Sequence, residues 1–433
     1  SLTTVSSVGS GQAGFFGTDL QAASADDLVG TMAKTVSEIN IDGTVSGEQV
    51  AITADASNVY VNGSLSNFTN YAGTMLKSFI PLDSDLNYVV MDNQALVNIG
   101  ADAVITARST IKDAVTEENG YSLGGIELIP ATENRDYALN IKANAYLEVG
   151  AGSAAAATKL SQRKTVPAGS DPGQFIPNAG VTYLEANNQA NVVVAGKVDS
   201  AGDTNMNATA SMYAEASAAA DAPTRTTNQE VNNFVNMAAV VADLTNTATV
   251  NVTGADKTIG GALNVEANSD GQSYATSAIV GASETSMANT ALNLTDVATK
   301  ADITIDSALT ANSFDIHADN SVSNSFTSNN TVGLSKRGAR MASKKGGLFG
   351  GLLNRGKNGK TSGGLKVPEG LEKLGEFFSA GASIAVINET NVSNVTVTKK
   401  AKLTAPNDIN VTANTTLSGT YTTVSSAPHN FNS

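Results

Sequence analysis

The chain has 433 residues, of which 41% are apolar but only 5% aromatic, with no Trp and no Cys. Charged residues make up 15%, against a usual quarter, and the formal balance is −14. These figures exclude disulfide and thiol chemistry, argue against nucleic-acid binding and against docking on anionic lipid, and leave Ala, Val, Ile and Leu to fill any core.

Regular β-branched residues run through the chain and set it apart from disordered sequences. No apolar run approaches the ~20 residues of a bilayer-spanning helix. The chain starts at Ser1, with no basic or apolar leader, so a signal peptide is expected to be absent or removed, or the chain to be part of something longer.

From the N-terminus, "GSGQAG" (Gly9 to Gly14) spells a dinucleotide fingerprint, but no helix or βαβ unit follows, so it reads as a glycine-rich loop. "ASADDLVGTMAKTVSEINI" (Ala23 to Ile41) predicts a short helix from Asp26. A recurring signature then begins, apolar-x-apolar-x-Ala, mostly closed by Asn or Asp. Its second apolar residue falls at Ile52, Ile105, Ile141, Leu184, Val265, Ile316 and Val411, and its Ala at Ala54, Ala107, Ala143, Ala186, Ala267, Ala318 and Ala413. The period-two alternation predicts strands with one face buried. The small Ala and the Asn or Asp after it read as a tight corner.

Between the copies, "DSDLN" (Asp83 to Asn87) has the spacing of the first calcium-loop ligands, but Tyr88 stands where the loop needs Gly. Leu160 to Val181 reads as a Pro/Gly loop. "VVADLTNTATVNV" (Val240 to Val252) returns as "AVINETNVSNVTV" (Ala385 to Val397), offset by 145. The signatures starting at Leu263 and Ile409 are offset by 146. Two stretches repeating together at nearly one spacing predict stacked structural units. With strands joined by short polar corners, and only 9 Pro, the expected fold is an all-β parallel β-helix, or β-solenoid, with helical and loop insertions. At about 20 to 25 residues per coil, a ~50-residue repeat reads as two coils, giving roughly 17 to 19 coils and a rod of about 80 to 90 Å.

The shaft is expected over 1–335, with irregular insertions near 23–41 and 160–181, and again over 380–433. The segment 336–379 is foreign to it. Lys336, Arg337, Arg340, Lys344, Lys345, Arg355, Lys357, Lys360 and Lys366 form a Gly-rich basic arm, followed by an amphipathic helix carrying Leu371, Leu374 and Phe378. The arm is open to three readings: a solvated insertion, a contact for an acidic partner, or a membrane-active hairpin around "GGLFGGLL". "NGKTS" (Asn358 to Ser362) lacks the first P-loop glycine, since Asn354 stands five places before Gly359.

Only two histidines exist, His317 and His429, which leaves almost nothing for a Ser-His-Asp site or a His-ligated metal. His317 reads as an outward strand residue. Carboxylates are plentiful but scattered, so no enzyme, cofactor or metal site is expected.

"VADLTNTATVNV", "VINETNVSNVTV" and the "LNVEAN / INVTAN" signature resemble the repeats of filamentous-haemagglutinin-type exoproteins, most of all leukotoxin-like filamentous adhesins. The resemblance covers most of the chain outside its interruptions. It implies a right-handed parallel β-helix, secretion to a bacterial cell surface, and a role in host-cell attachment, biofilm cohesion or cytotoxicity. The function expected is that of a non-enzymatic adhesive shaft, binding a cell-surface receptor or glycan and able to associate end to end. A self-assembling extracellular filament and, behind it, a polysaccharide-processing β-helix are the alternatives.

Overall fold

A computed structural model describes residues 2–9, 26–62, 83–112, 114–118, 121–123, 126–129, 132–156, 176–222, 234–281, 286–330 and 382–425. Among the described residues there are twenty-three strands, β1 to β23 in chain order, and no helix. The molecule is a right-handed parallel β-helix, and each turn of the spiral contributes one strand to each of three sheets.

Sheet A stacks, in spatial order, β1 (Leu2–Gly9), β4 (Val50–Asn62), β11 (Leu139–Ala156), β14 (Thr204–Ala222), β17 (Ala262–Gly281), β20 (Ser313–Asn330) and β23 (Ile409–Ser425). Sheet B stacks β2 (Asp26–Ile41), β5 (Asp83–Ile99), β12 (Ile176–Val194), β15 (Phe234–Thr253), β18 (Ser286–Asp306) and β21 (Ala382–Val397). The short sheet C closes each turn with β3 (Thr44–Gly47), β6 (Val104–Ala107), β13 (Lys197–Ser200), β16 (Lys257–Ile259), β19 (Ala308–Thr310) and β22 (Lys402–Thr404). A and B pack face to face, and C forms one narrow edge.

The repeat length was misread in the sequence. Ala262 pairs with Ser313 on the next turn, so the ~50-residue repeat is one coil rather than two. Strands of up to 21 residues account for it, far beyond the usual 3–10. Seven rungs at ~4.8 Å make a stack of roughly 30 Å rather than 80 to 90 Å. The offsets of 145 and 146 are two coils each: Val240 pairs with Asn293, which pairs with Ala385, and Leu263 pairs with Phe314, which pairs with Ile409.

The Asn and Asp of the signature are not corners either. Asp55, Asn144, Asn268, Asp319 and Asn414 lie inside the sheet A strands. In-register stacking offers each side chain a partner one rung away, and this holds the backbone extended. Asn144 Nδ2 donates to Asp55 Oδ1 at 2.7 Å, and Asn414 Nδ2 to Asp319 Oδ1 at 2.9 Å. The true corners lie on either side of sheet C. At one of them Gly254 takes φ +71°, and a Cβ there would stand 2.4 Å from Ala195 O on the preceding turn.

Two more expectations change. Asp26 to Ile41 is strand β2 and not a helix. Thr31, Thr35, Ser37, Ile39 and Ile41 alternate inward and are buried, and pairing along the whole length of β5 overrides local helix propensity. Of the expected loop at 160–181, Ile176 onward is already β12, and 160–175 lies outside the described residues. An excursion between β6 and β11, absent from the sequence reading, pairs β7 (Ala114–Glu118) with β10 (Thr132–Asp136) and β8 (Tyr121–Leu123) with β9 (Ile126–Ile129), all antiparallel. The basic arm, the helix proposed around Leu371, "NGKTS", His429 and all of "GSGQAG" after Gly9 lie outside the described residues.

Inward side chains line up in columns that run the length of the stack, and they form two apolar clusters. One lies toward sheet C and includes Ile52, Ile141, Val250 and Ile303. The other lies away from it and includes Met91, Leu147, Leu244 and Phe326. Between them runs a polar seam from sheet B: Asn93, Asn188 and Asn246 pair in register, each fully buried.

Candidate functional site

The seam lies directly behind one column of the outer face of sheet A. Asn93 Nδ2 donates to Asn188 Oδ1, and Asn188 Nδ2 to Asn246 Oδ1, both at 2.8 Å. The same amide groups reach across the core to backbone carbonyls of sheet A. Asn93 meets Tyr146 O, Asn188 meets Ser211 O, and Asn246 meets Asp270 O, each at 3.0 Å. Asn188 also reaches Ala145 O, and Asn246 reaches Ala210 O. Small inward residues, Ala56, Ala145, Ala210 and Ser269, leave room for the amides. These bonds fall on one column of sheet A, and the outer face of that column lines two adjoining depressions that together make a shallow trough.

The floor of the trough is a single column, Tyr146, Ser211, Asp270, Ser321 and Thr416, paired rung to rung. Two adjoining depressions make it up. One of about 300 Å³ is flanked by Glu148, Tyr213 and Gln272. The other, of about 710 Å³, is flanked by Thr209, Asn268, Asp319 and Asn414. Asp270 belongs to both. Tyr146 closes one end with 43% of its surface exposed. Its hydroxyl donates to Glu148 Oε2 at 2.8 Å, and that bond raises its pKa. Burial raises that of Tyr213, whose ring meets Tyr274 at 5.4 Å between centroids. Glu148, Asp270 and Asp319 make the trough acidic. Among the described residues, the side chains of Ser211, Asp270 and Ser321 make no hydrogen bond to the rest of the chain.

The seven signature copies divide. Ile52, Ile141, Val265, Ile316 and Val411 share one inward column of sheet A, and Ala54, Ala143, Ala267, Ala318 and Ala413 share the next but one position. Met206 and Ala208 complete both columns, and the sequence reading passed over them because Met replaces the aliphatic residue in "NMNATA". Ile105 and Ala107 belong to sheet C instead, and Leu184 and Ala186 to sheet B. All of these residues are structural, and none lines the trough except Ala413 at its open end.

His317 faces outward, as expected, but it is engaged: Nε2 stands 3.4 Å from Glu266 Oε1, and Nδ1 3.6 Å from Asp315 Oδ1. "DSDLN" lies at the start of strand β5 rather than in a loop. Among the described residues no group of three or more His, Asp or Glu is arranged to hold a metal, and no helix is long and apolar enough to cross a membrane.

The last coil differs from the rest. Its inward residues Ile409, Val411 and Leu417 are 45–49% exposed, whereas their partners Phe314, Ile316 and Val322 are buried. β21, β22 and β23 are also the terminal strands of their sheets. Compared with known protein-family models, with curated proteins and with solved structures, the chain matches none.

Proposed function

We propose that this chain is a non-enzymatic adhesive shaft, a repeat segment of a secreted filamentous adhesin that holds bacterial cells to surfaces or to one another. The observation that carries the reading is the unbroken register of sheet A. The column Ala54, Ala143, Ala208, Ala267, Ala318 and Ala413 crosses six rungs without a slip. A spiral whose inner strands are hydrogen-bonded on both sides, and whose side-chain amides form ladders along the axis, resists bending and extension. Such a body is suited to displaying surfaces at a distance from a cell. The resemblance of the repeats to filamentous-haemagglutinin-type exoproteins supports the same role.

The test is attachment. Beads coated with the full chain should adhere to cultured cells or to bacterial lawns more than beads coated with an unrelated acidic protein. Equal adhesion on every surface tried would remove the adhesive reading. A second reading is a self-assembling extracellular filament. Electron microscopy of the purified chain separates the two: short rods support a shaft, and long fibres support a filament.

A further inference from the structure

We infer that the trough on sheet A binds an extended glycan chain carrying amino sugars, laid parallel to the axis of the spiral. The inference rests on the adhesive reading and gives it a ligand class and a site.

Three features of the trough select this chemistry. The first is shape. The column from Tyr146 to Thr416 runs straight across five rungs, bordered by Glu148, Tyr213 and Gln272 in one depression and, on its other side, by Asn268, Asp319 and Asn414 in the next. It therefore fits a straight polymer rather than a compact ligand. Successive rungs stand ~4.8 Å apart, close to the length of one pyranose unit in an extended β-linked chain, so successive sugars would fall near successive rungs.

The second feature is the donor and acceptor set. Ser211, Ser321 and Thr416 on the floor, with Asn268 on one wall, present hydroxyls and an amide that can both donate and accept. This matches the mixed character of ring hydroxyls. The exposed ring of Tyr146 offers an apolar face to the C–H side of a sugar, with its polar tip kept in water.

The third feature is charge. Glu148 and Asp319 already accept hydrogen bonds from Tyr146 and Asn414, but Asp270 lies between them without a partner among the described residues. An ammonium group on the sugar would give Asp270 a charge-assisted hydrogen bond. The same carboxylates repel polyanions, including nucleic acids and uronate chains. A peptide strand fits less well. Strand addition needs a free backbone edge, whereas β17 is paired on both sides, to β14 and β20.

The experiment titrates the full chain with a β-1,4-linked glucosamine hexamer, followed by calorimetry. Parallel titrations use the N-acetylated hexamer and hexalysine. Saturable binding of the amino-sugar hexamer is expected. It should weaken about tenfold in Asp270→Asn, the loss of one charge-assisted contact, and disappear in Asp270→Lys. Asp270 is exposed, so both variants should keep the wild-type circular dichroism spectrum. Weaker binding of the N-acetylated hexamer is also expected. Three results would each overturn the assignment: no binding by the wild type, unchanged binding by Asp270→Lys, or hexalysine binding as tightly as the sugar. The bead assay keeps the two readings apart. Adhesion that persists in the absence of hexamer binding removes the trough and leaves the shaft. Hexamer binding with no bead adhesion removes the shaft reading and leaves a glycan-binding solenoid.

Discussion

The buried asparagines are the residues on which the interior most depends. Asn188 spends one amide hydrogen on Asn246 and shares the other between Ser211 O and Ala145 O, while its own oxygen accepts from Asn93. Removing it alone orphans groups on both neighbouring rungs and across the core. Asn188→Leu should therefore destabilise the chain by roughly 2–4 kcal/mol, from unsatisfied buried polar groups within a cooperative network. The urea midpoint measures this. A triple replacement, Asn93, Asn188 and Asn246 together by Leu, should cost less than three times as much, because partners leave in pairs. Full additivity would contradict the network. Which asparagines would turn inward was not legible in the sequence. Asn in a β-rich chain reads as a turn former, and only the in-register stack turns it into an interior ladder.

Lys257 is the other residue out of place. Its column on sheet C is Val45, Ile105, Val198, Lys257, Leu309 and Leu403, so an ammonium occupies an apolar position. Its Nζ donates to the corner carbonyls Thr253 O and Ala255 O, and burial lowers its pKa to about 8. The unfolded chain binds this proton more tightly than the folded one. Folding stability should therefore rise with pH between about 8 and 10.5, by up to roughly 3 kcal/mol. The tyrosines oppose this: burial raises Tyr183, so folding loses stability above about pH 10. The comparison with Lys257→Met isolates the lysine. That variant should lose the rise, and an identical pH profile in both proteins would refute the assignment.

At the scale of elements, the sequence identified the strands better than it delimited them. Alternation in "LNVEANSD" and "INVTANTT" was visible and true, and the double offset of 145 and 146 located coils two turns apart. The error was to stop each strand at its Asn or Asp, which halved the coil. Ile105 and Leu184 were grouped with the sheet A copies because three walls of one spiral share the same inward-outward text. Only pairing tells the walls apart.

The same stacking makes neighbouring strands interdependent through their outward faces. Glu266 on β17 meets His317 on β20. Burial pushes the Glu266 carboxyl up, but the hydrogen bonds from His317, Asn264 and Asn207 outweigh it and hold its pKa at about 2. The bond to Glu266 raises His317, with Asp315 and Asp319 adding to the effect. Glu266 thus stabilises the fold above its unfolded value near 4.5 and loses that contribution as pH falls toward 2. His317 contributes below its unfolded value near 6.5 and loses its share as pH rises through its raised folded value. Their joint contribution is largest between about pH 4.5 and 6.5. His317→Asn should lower the thermal midpoint most in that window, and less at pH 8. A pH-independent difference between the two proteins would show that the pair acts through packing alone.

For the whole molecule, the arrangement of coils predicts a gradient of stability along the axis. An inner strand such as β14 or β17 is hydrogen-bonded on both sides, and its inward residues are sealed by rungs above and below. β23 is bonded on one side, and its interior leaves Ile409, Val411 and Leu417 nearly half exposed. In a one-dimensional stack, opening spreads from the weakest interface rather than through one global transition. Amide exchange at dilute concentration should therefore be fastest in β21 and β23 and slowest in β14 and β17, with protection factors differing by roughly 100-fold or more. If the last coil joins another copy, as the filament reading requires, its protection should climb toward the inner value as the protein is concentrated. A shaft that stays monomeric should keep the gradient at every concentration. Uniform protection along the axis in dilute solution would contradict both readings, because the terminal coil would then already be covered.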